Sequence, residues 1–525
     1  MHLTEKCRAL LPTIQAEWAA TELAADALEA ELPMPLRMVP TAVLDAVDTV
    51  SSTTASWPRQ GLSTIRRCDR PPRGTHRRHG RQAEHHKGDV DLMDSADNAR
   101  PRRRLIADLR PLRQSPAFRR LWIGSGISAL GGQLTSFALM LQVFDLTRST
   151  AAVGAIGVVS LVPTLVVGLF SGSFADALDR RKLVLIISSG LTMVSAALAV
   201  QAYLALDQLW LLYVLAGVQS LLFAINMPAR QTFIPRLLPA ETLGAGIALN
   251  MATFQASLLL GPSLGGLITG IAGLRTCYLI DAVTFLAALY GVARLPAMPP
   301  QGGHDQPGLR SVVDGFRFVR RRPVLAAVLL ADLNATVLGM PFAVFPAINA
   351  QYFGGNPRTL GLLVTAVGAG GLLGSLLTGP VGQVRRAGLG VLVAVACWGA
   401  GITGFGLVHV FWIGLVLLAI CGAADNISVV LRTLVVQRIT PDRYRGRISG
   451  VNFVVGMGGP QLGNFEAGLV GSLASPVVSV VSGGLATIVG VLALRLAVPA
   501  LAHYDVTAKS EEELEQEPDD DQVTA

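Results

Sequence analysis

Four carboxylates stand inside long apolar stretches of this 525-residue chain, where a charge is costly to keep. They are Asp281 in "YLIDAVTFL", Asp332 in "LLADLNATVLG", Asp425 in "CGAADNISVV" and Glu466 in "LGNFEAGLVG". A desolvated carboxylate holds its proton more tightly and can exchange it near neutral pH. All four are candidates for carrying a proton, with Asp332 and Glu466 foremost because they lie well inside their stretches. The alternative for each is a carboxylate hydrogen-bonded to a neighbouring helix for structure. Five amides in similar settings, Gln133, Asn250, Asn334, Asn426 and Asn452, could orient a polar ligand or tie helix to helix.

The elements holding these groups follow from composition. The chain is 51% hydrophobic and 15% charged, with mean hydropathy +0.49. A soluble chain carries about 25% charged residues. Apolar runs of about 20 residues, the length of a membrane-spanning helix, recur from Leu121 to Leu501. Twelve spans are predicted near 121–143, 152–174, 183–205, 209–229, 243–269, 276–294, 324–346, 359–380, 388–407, 409–431, 449–472 and 476–499. The fold class is therefore an all-α polytopic membrane protein with twelve transmembrane helices in two six-helix halves.

Alternate loops collect the cations: Arg180, Arg181 and Lys182; Arg230 and Arg236; Arg310 to Arg322; Arg385 and Arg386; Arg432 to Arg447. Lys and Arg stay on the cytoplasmic side, so both termini are expected there. Residues 1–115 are basic and too poor in apolar residues to form a core, and are expected to be a disordered cytoplasmic extension. Met93 opens a more natural beginning. The halves comprise 116–294 and 324–500, joined by a linker at 295–323 whose "LRSVVDGFRFVRRRP" should form an amphipathic helix along the inner membrane surface. Residues 501–525 are an acidic cytoplasmic tail. The halves also resemble each other: Arg230, Arg236, Pro239 and Asn250 align with Arg432, Arg438, Pro441 and Asn452 at one offset. "GLFSGSFADALDRR" likewise aligns with "SLLTGPVGQVRRAG". Duplicated six-span halves with a site between them are a transporter architecture.

The turn "GSFADALDRRKLVL" between spans two and three resembles the signature of the major facilitator superfamily, Gly-x-Leu-Ala-Asp-Arg-x-Gly-Arg-Arg/Lys. Gly172, Ala175, Asp176, Arg180 and Arg181 fit it, while Phe174, Ala177 and Asp179 depart from it. The resemblance implies that Gly172, Asp176, Arg180 and Arg181 form a conformational switch, with Asp176 set against a helix N-terminus in the opposite half. "GPSLGGLITG" resembles the superfamily's export-associated motif; Gly261, Gly265 and Gly266 would permit close helix packing and Pro262 a bend. The arginine that many drug exporters carry in span four is absent: Ala216 stands there.

"SPAFRRLW", "LTRSTAAVG", "GFRFVRRRPVL" and "QRITPDRYRGRISG" resemble the enterobactin-exporter branch, which includes macrolide-efflux-type proteins. The resemblance covers about residues 115 to 500. It implies a proton-coupled antiporter exporting a siderophore-type amphiphile across the cytoplasmic membrane. A multidrug or macrolide-type efflux pump is the alternative, and an importer or a membrane sensor stands behind it. The partners implied are a small-molecule substrate, protons and membrane lipid, with no nucleic acid. No cofactor or metal is expected: Cys7, Cys68, Cys277, Cys397 and Cys421 are scattered without a ligand-like spacing. There is no GxxxxGK[ST] loop for an ATP-driven pump and no nucleophile–base constellation for an enzyme.

Overall fold

The computed structural model describes residues 108–177, 179–296, 309–381, 385–441 and 444–505, excepting the side chains of 167–177, 228, 309–312 and 377–381. Of the expected disordered extension 1–115, residues 1–107 lie outside the described residues, while 110–114 form a short helix. Of the expected tail 501–525, residues 506–525 lie outside them, while Leu501 and Ala502 are buried in the last helix. Linker residues 297–308 are also outside.

The regular elements among the described residues are helices. A short α1 (Arg110–Gln114) leads into α2 (Pro116–Thr147), α3 (Thr150–Ala177), α4 (Arg180–Tyr203) and α5 (Leu209–Gln231). Then come α6 (Phe233–Leu237), α7 (Ala240–Ala272), α8 (Leu274–Ala293) and the linker helix α9 (Leu309–Arg321). The second half comprises α10 (Pro323–Leu338), α11 (Phe345–Tyr352), α12 (Pro357–Val381), α13 (Ala387–Leu407), α14 (Phe411–Ile439), α15 (Arg445–Leu473), α16 (Pro476–Ala497) and α17 (Pro499–His503). Local chemistry sets several starts. Ser115 and Ser475 cap α2 and α16, each followed by a proline at the first helical position.

Every predicted span falls on helical chain, and among the described residues ten helical stretches, with α5–α6 and α10–α11 each counted as one, are long and apolar enough to cross a membrane. The remaining two predicted spans are α3 and α15, which pack extensively on each other. Of these, α3 is apolar over residues 150–166, beyond which its side chains lie outside the described residues, and α15 carries the polar residues Asn452, Gln461, Asn464 and Glu466.

Span seven departs from expectation. The predicted 324–346 is broken: α10 ends at Leu338, a 3-10 turn covers Phe342–Val344, and α11 resumes at Phe345. Pro341 cannot donate a helical hydrogen bond, so the chain opens there. The Trp398 indole donates to the Gly339 carbonyl at 2.8 Å, satisfying an acceptor that the break releases.

The halves share one internal register. Pro116 and Pro323 open α2 and α10, 207 positions apart, and the same separation relates α3 to α12. Between α5 and α14, and between α7 and α15, it is 202 positions, as for Arg230 and Arg432. These registers pair two inter-half contacts. A Cβ on Gly468 of α15 would lie 2.5 Å from the Thr150 carbonyl oxygen and 2.9 Å from Gly154 Cα of α3. A Cβ on Gly361 of α12 would lie 2.5 Å from the Pro262 carbonyl oxygen and 3.1 Å from Gly266 Cα of α7. Gly154 corresponds to Gly361 and Gly266 to Gly468, so the two crossings are one contact made twice. Thr150 Oγ1 donates to the Gly468 carbonyl at 2.8 Å, and the Ser263 and Thr365 hydroxyls bond across the other crossing. The halves thus meet backbone to backbone at the end of the bundle away from the linker helix, termed distal below.

Candidate functional site

The same registers locate a polar cluster in each half. In the second half, Arg432 of α14 forms an ion pair with Asp332 of α10, with side chains 12% and 2% exposed. Asp425 lies seven residues before Arg432, two helical turns away on the same face. It is within electrostatic reach of both Arg432 and Asp332. Asp425 is solvent-accessible at mid-helix, opposite the stripe of Val416 and Ile420 that is exposed on the outside of α14. Asp425 therefore faces accessible space inside the bundle. One guanidinium is set against two carboxylates.

In the first half the corresponding positions are Ser125 for Asp332, Phe223 for Asp425 and Arg230 for Arg432. Arg230 donates to Asn226 Oδ1 at 3.1 Å, to Ser125 Oγ at 2.9 Å and to Ser188 Oγ at 3.3 Å. Among the described residues, no ion pair reaches it. The two clusters are alike in position and opposite in charge balance.

Asp281 is fully buried where α8 packs on α2 and α4. Thr135 and Ser195 each donate to its Oδ2 at 2.7 Å, and its Oδ1 is without a hydrogen-bond partner. No cation accompanies it among the described residues. Glu466 is half-buried on α15 near the distal crossing, and no hydrogen bond or ion pair reaches it among the described residues. The structure pairs Asp332 with Arg432, places Asp425 two turns away on the same face, and leaves Asp281 and Glu466 apart from them.

The amides differ in placement. Asn334 donates to the Thr487 carbonyl at 2.9 Å, bonding α10 to α16. Asn452 is exposed; Gln133, Asn250 and Asn426 are half-buried, Gln133 packing against Gly261 and Asn426 against Gly374. Gly265 packs on Phe137 and Gly266 on Gly361, so the "GPSLGG" stretch contacts its own half and the other one. In the signature turn, Gly172 and Asp176 end α3, and their side-chain positions lie outside the described residues. Asp179, which departs from the signature, caps α4 by accepting from the Arg181 and Lys182 backbone N–H groups at 2.8 and 3.3 Å. The Arg181 guanidinium donates to the Ala293 carbonyl at the end of α8, and Arg180 is the first residue of α4. A shallow open groove between α3 and α5, walled by Val159, Pro163, Tyr213 and Val218 among others, lies on the outer face of α5 and touches none of the four carboxylates.

Sequence reasoning treated Arg230 and Arg432 as loop cations. The available signal was the apolar run "ISVVLRTLVV", which continues past Arg432 and places it within a helix rather than after one.

The transmembrane secretion effector family of the major facilitator superfamily matches residues 106–523. The chain belongs to that family. Proteins of this superfamily move small molecules across membranes and are not enzymes, so this chain is a multi-pass membrane transporter. It is 28% identical over 404 residues to the enterobactin exporter EntS of Escherichia coli (strain K12), covering 77% of this chain and 96% of that protein. Among solved structures, the nucleoside transporter NupG superposes with a TM-score of 0.61 at 12% identity, over 74% of this chain and 99% of that one. A bacterial homologue of the iron transporter ferroportin, in an inward-facing state, gives 0.56 at 15% identity, over 74% and 98%. At those identities the structures share the fold alone.

Proposed function

We propose that this transporter is a proton-driven exporter of an amphiphilic, siderophore-type small molecule, working by alternating access in the cytoplasmic membrane. The observation that carries the coupling is the Asp332–Arg432 ion pair with Asp425 on the same interior face. With both carboxylates ionised, one cation faces two anions, and the surplus negative charge inside a membrane favours uptake of one proton. Protonation weakens the hold on Arg432 and so shifts the packing of α10 against α14. The break in span seven lies one to two turns beyond Asp332, where a discontinuous helix can accommodate that shift. The distal end would then open by parting the two glycine crossings. The basic helix ends gather at the other end, which supports placing both termini in the cytoplasm.

The likeness to an enterobactin exporter supports a siderophore-type cargo. Cells with and without the protein, loaded with a fluorescent catecholate siderophore or a lipophilic dye, test the proposal. The protein should lower accumulation of the siderophore, and an uncoupler should abolish the difference. Equal accumulation of both compounds, or export that persists with the uncoupler, contradicts it.

A further inference from the structure

In the second half, Arg432 is neutralised from within the protein by Asp332. In the first half, Arg230 occupies the equivalent position and reaches the equivalent residue, but that residue is Ser125. Asn226 and Ser188 complete its shell with neutral oxygens. A guanidinium has five N–H donors, and the three hydrogen bonds leave two of them. Holding a cation among hydroxyls and amides in a membrane is costly unless an anion joins it. Two turns back on the same helix face, Phe223 is 48% exposed at the position where the other half places Asp425. An exposed ring and an under-neutralised guanidinium therefore share one face of α5.

We propose that Arg230, with Ser125 and Phe223, is an oxyanion subsite that selects aromatic cargo bearing a carboxylate or another acidic oxygen. The guanidinium pairs with the oxyanion in the planar geometry suited to it. Phe223 meets the adjoining ring. Cargo recognition falls to the first half, where the charge is positive, and proton uptake to the second, where it is negative. The subsite rests on the exporter reading only in calling its ligand cargo. A phosphate from a lipid head group has the same oxyanion chemistry and is the competing source.

The test is binding of 1-naphthoate against 1-naphthamide, equal in ring and differing in charge, to the full-length protein in dodecyl maltoside micelles, which carry no phosphate. The parent should prefer naphthoate by about tenfold or more, the range of a charge-assisted hydrogen bond. Arg230→Gln should remove the preference. Ser125→Asp should remove it too, by supplying the internal partner that Asp332 provides in the other half, and that half shows the pair to be compatible with the fold. Thermal unfolding checks that each variant is folded. If Arg230→Gln does not fold, Ser125→Asp decides alone. A preference that survives in the folded variants overturns the proposal. Displacement of naphthoate from the parent by phosphatidylglycerol assigns the oxyanion to lipid and overturns the cargo assignment. Binding is read without a proton gradient, so the expected pattern supports the subsite even in a protein that fails to couple.

Discussion

Arg432 pairs with Asp332 across α10 and α14, both side chains being largely withdrawn from solvent. Desolvating two charges costs nearly what their attraction returns, so such a pair adds little net stability, yet losing one partner leaves the other stranded. Arg432→Gln should therefore destabilise the protein by about 3–5 kcal/mol, moderated by solvent access at Asp425. The double variant Arg432→Gln with Asp332→Asn should recover most of that loss. Thermal unfolding in detergent measures both, and equal destabilisation in the single and double variants would count against the pairing.

The distal crossings predict a conformational phenotype. Gly468→Leu puts a branched side chain where even a Cβ meets Thr150 and Gly154. The variant should insert normally, lose transport, and expose Thr150→Cys on α3 to a membrane-impermeant thiol reagent more than the parent background does. Parent-like transport and labelling would show that this contact does not close the transporter.

Asp281 should behave as a structural carboxylate. Asp281→Asn keeps acceptors for Thr135 and Ser195, and export should stay within about twofold of the parent. Asp281→Leu strands two buried hydroxyls at about 1–3 kcal/mol apiece. Expression and unfolding temperature should drop in the leucine variant alone. A transport defect in a stable Asp281→Asn protein would move this residue into the coupling mechanism.

The linker helix is pinned by a ladder of rings and cations. Phe318 of α9 stacks on Tyr444, with ring centroids 4.4 Å apart, while Arg322 lies over Phe318 and Arg447 over Tyr444. Gly315 packs on the Arg447 backbone beside it. Phe318→Ala should cost about 0.5–1.5 kcal/mol beyond lost burial and speed proteolysis of the 297–308 linker. Unchanged cleavage rates would mean that the ladder does not hold the helix.

The helices were legible because run length and charge parity are long-range signals that survive errors of a few residues. The break in span seven was less so, although Gly339 and Pro341 mark it. Asp332 and Asp425 stood out as acids in apolar runs. Arg432 did not, because ending span ten at residue 431 turned an interior cation into a loop residue, whereas α14 continues to Ile439. The glycine crossings were hidden for another reason. With 55 glycines, no single one is informative, and Gly154 becomes conspicuous only when its register mate Gly361 makes the same contact.

The most direct test of the coupling account is Asp425→Asn in proteoliposomes with an imposed pH gradient. This substitution leaves the Asp332–Arg432 pair in place and cancels the surplus negative charge beside it. Uphill, gradient-driven accumulation of cargo should be lost and the pH gradient should no longer be dissipated by cargo, while downhill counterflow continues. Asp332→Asn should lose the same uphill transport, with Asp425 left as the partner of Arg432. If both single variants concentrate cargo and dissipate the gradient as the parent does, the proton is carried elsewhere, and Glu466 is the next carboxylate to examine.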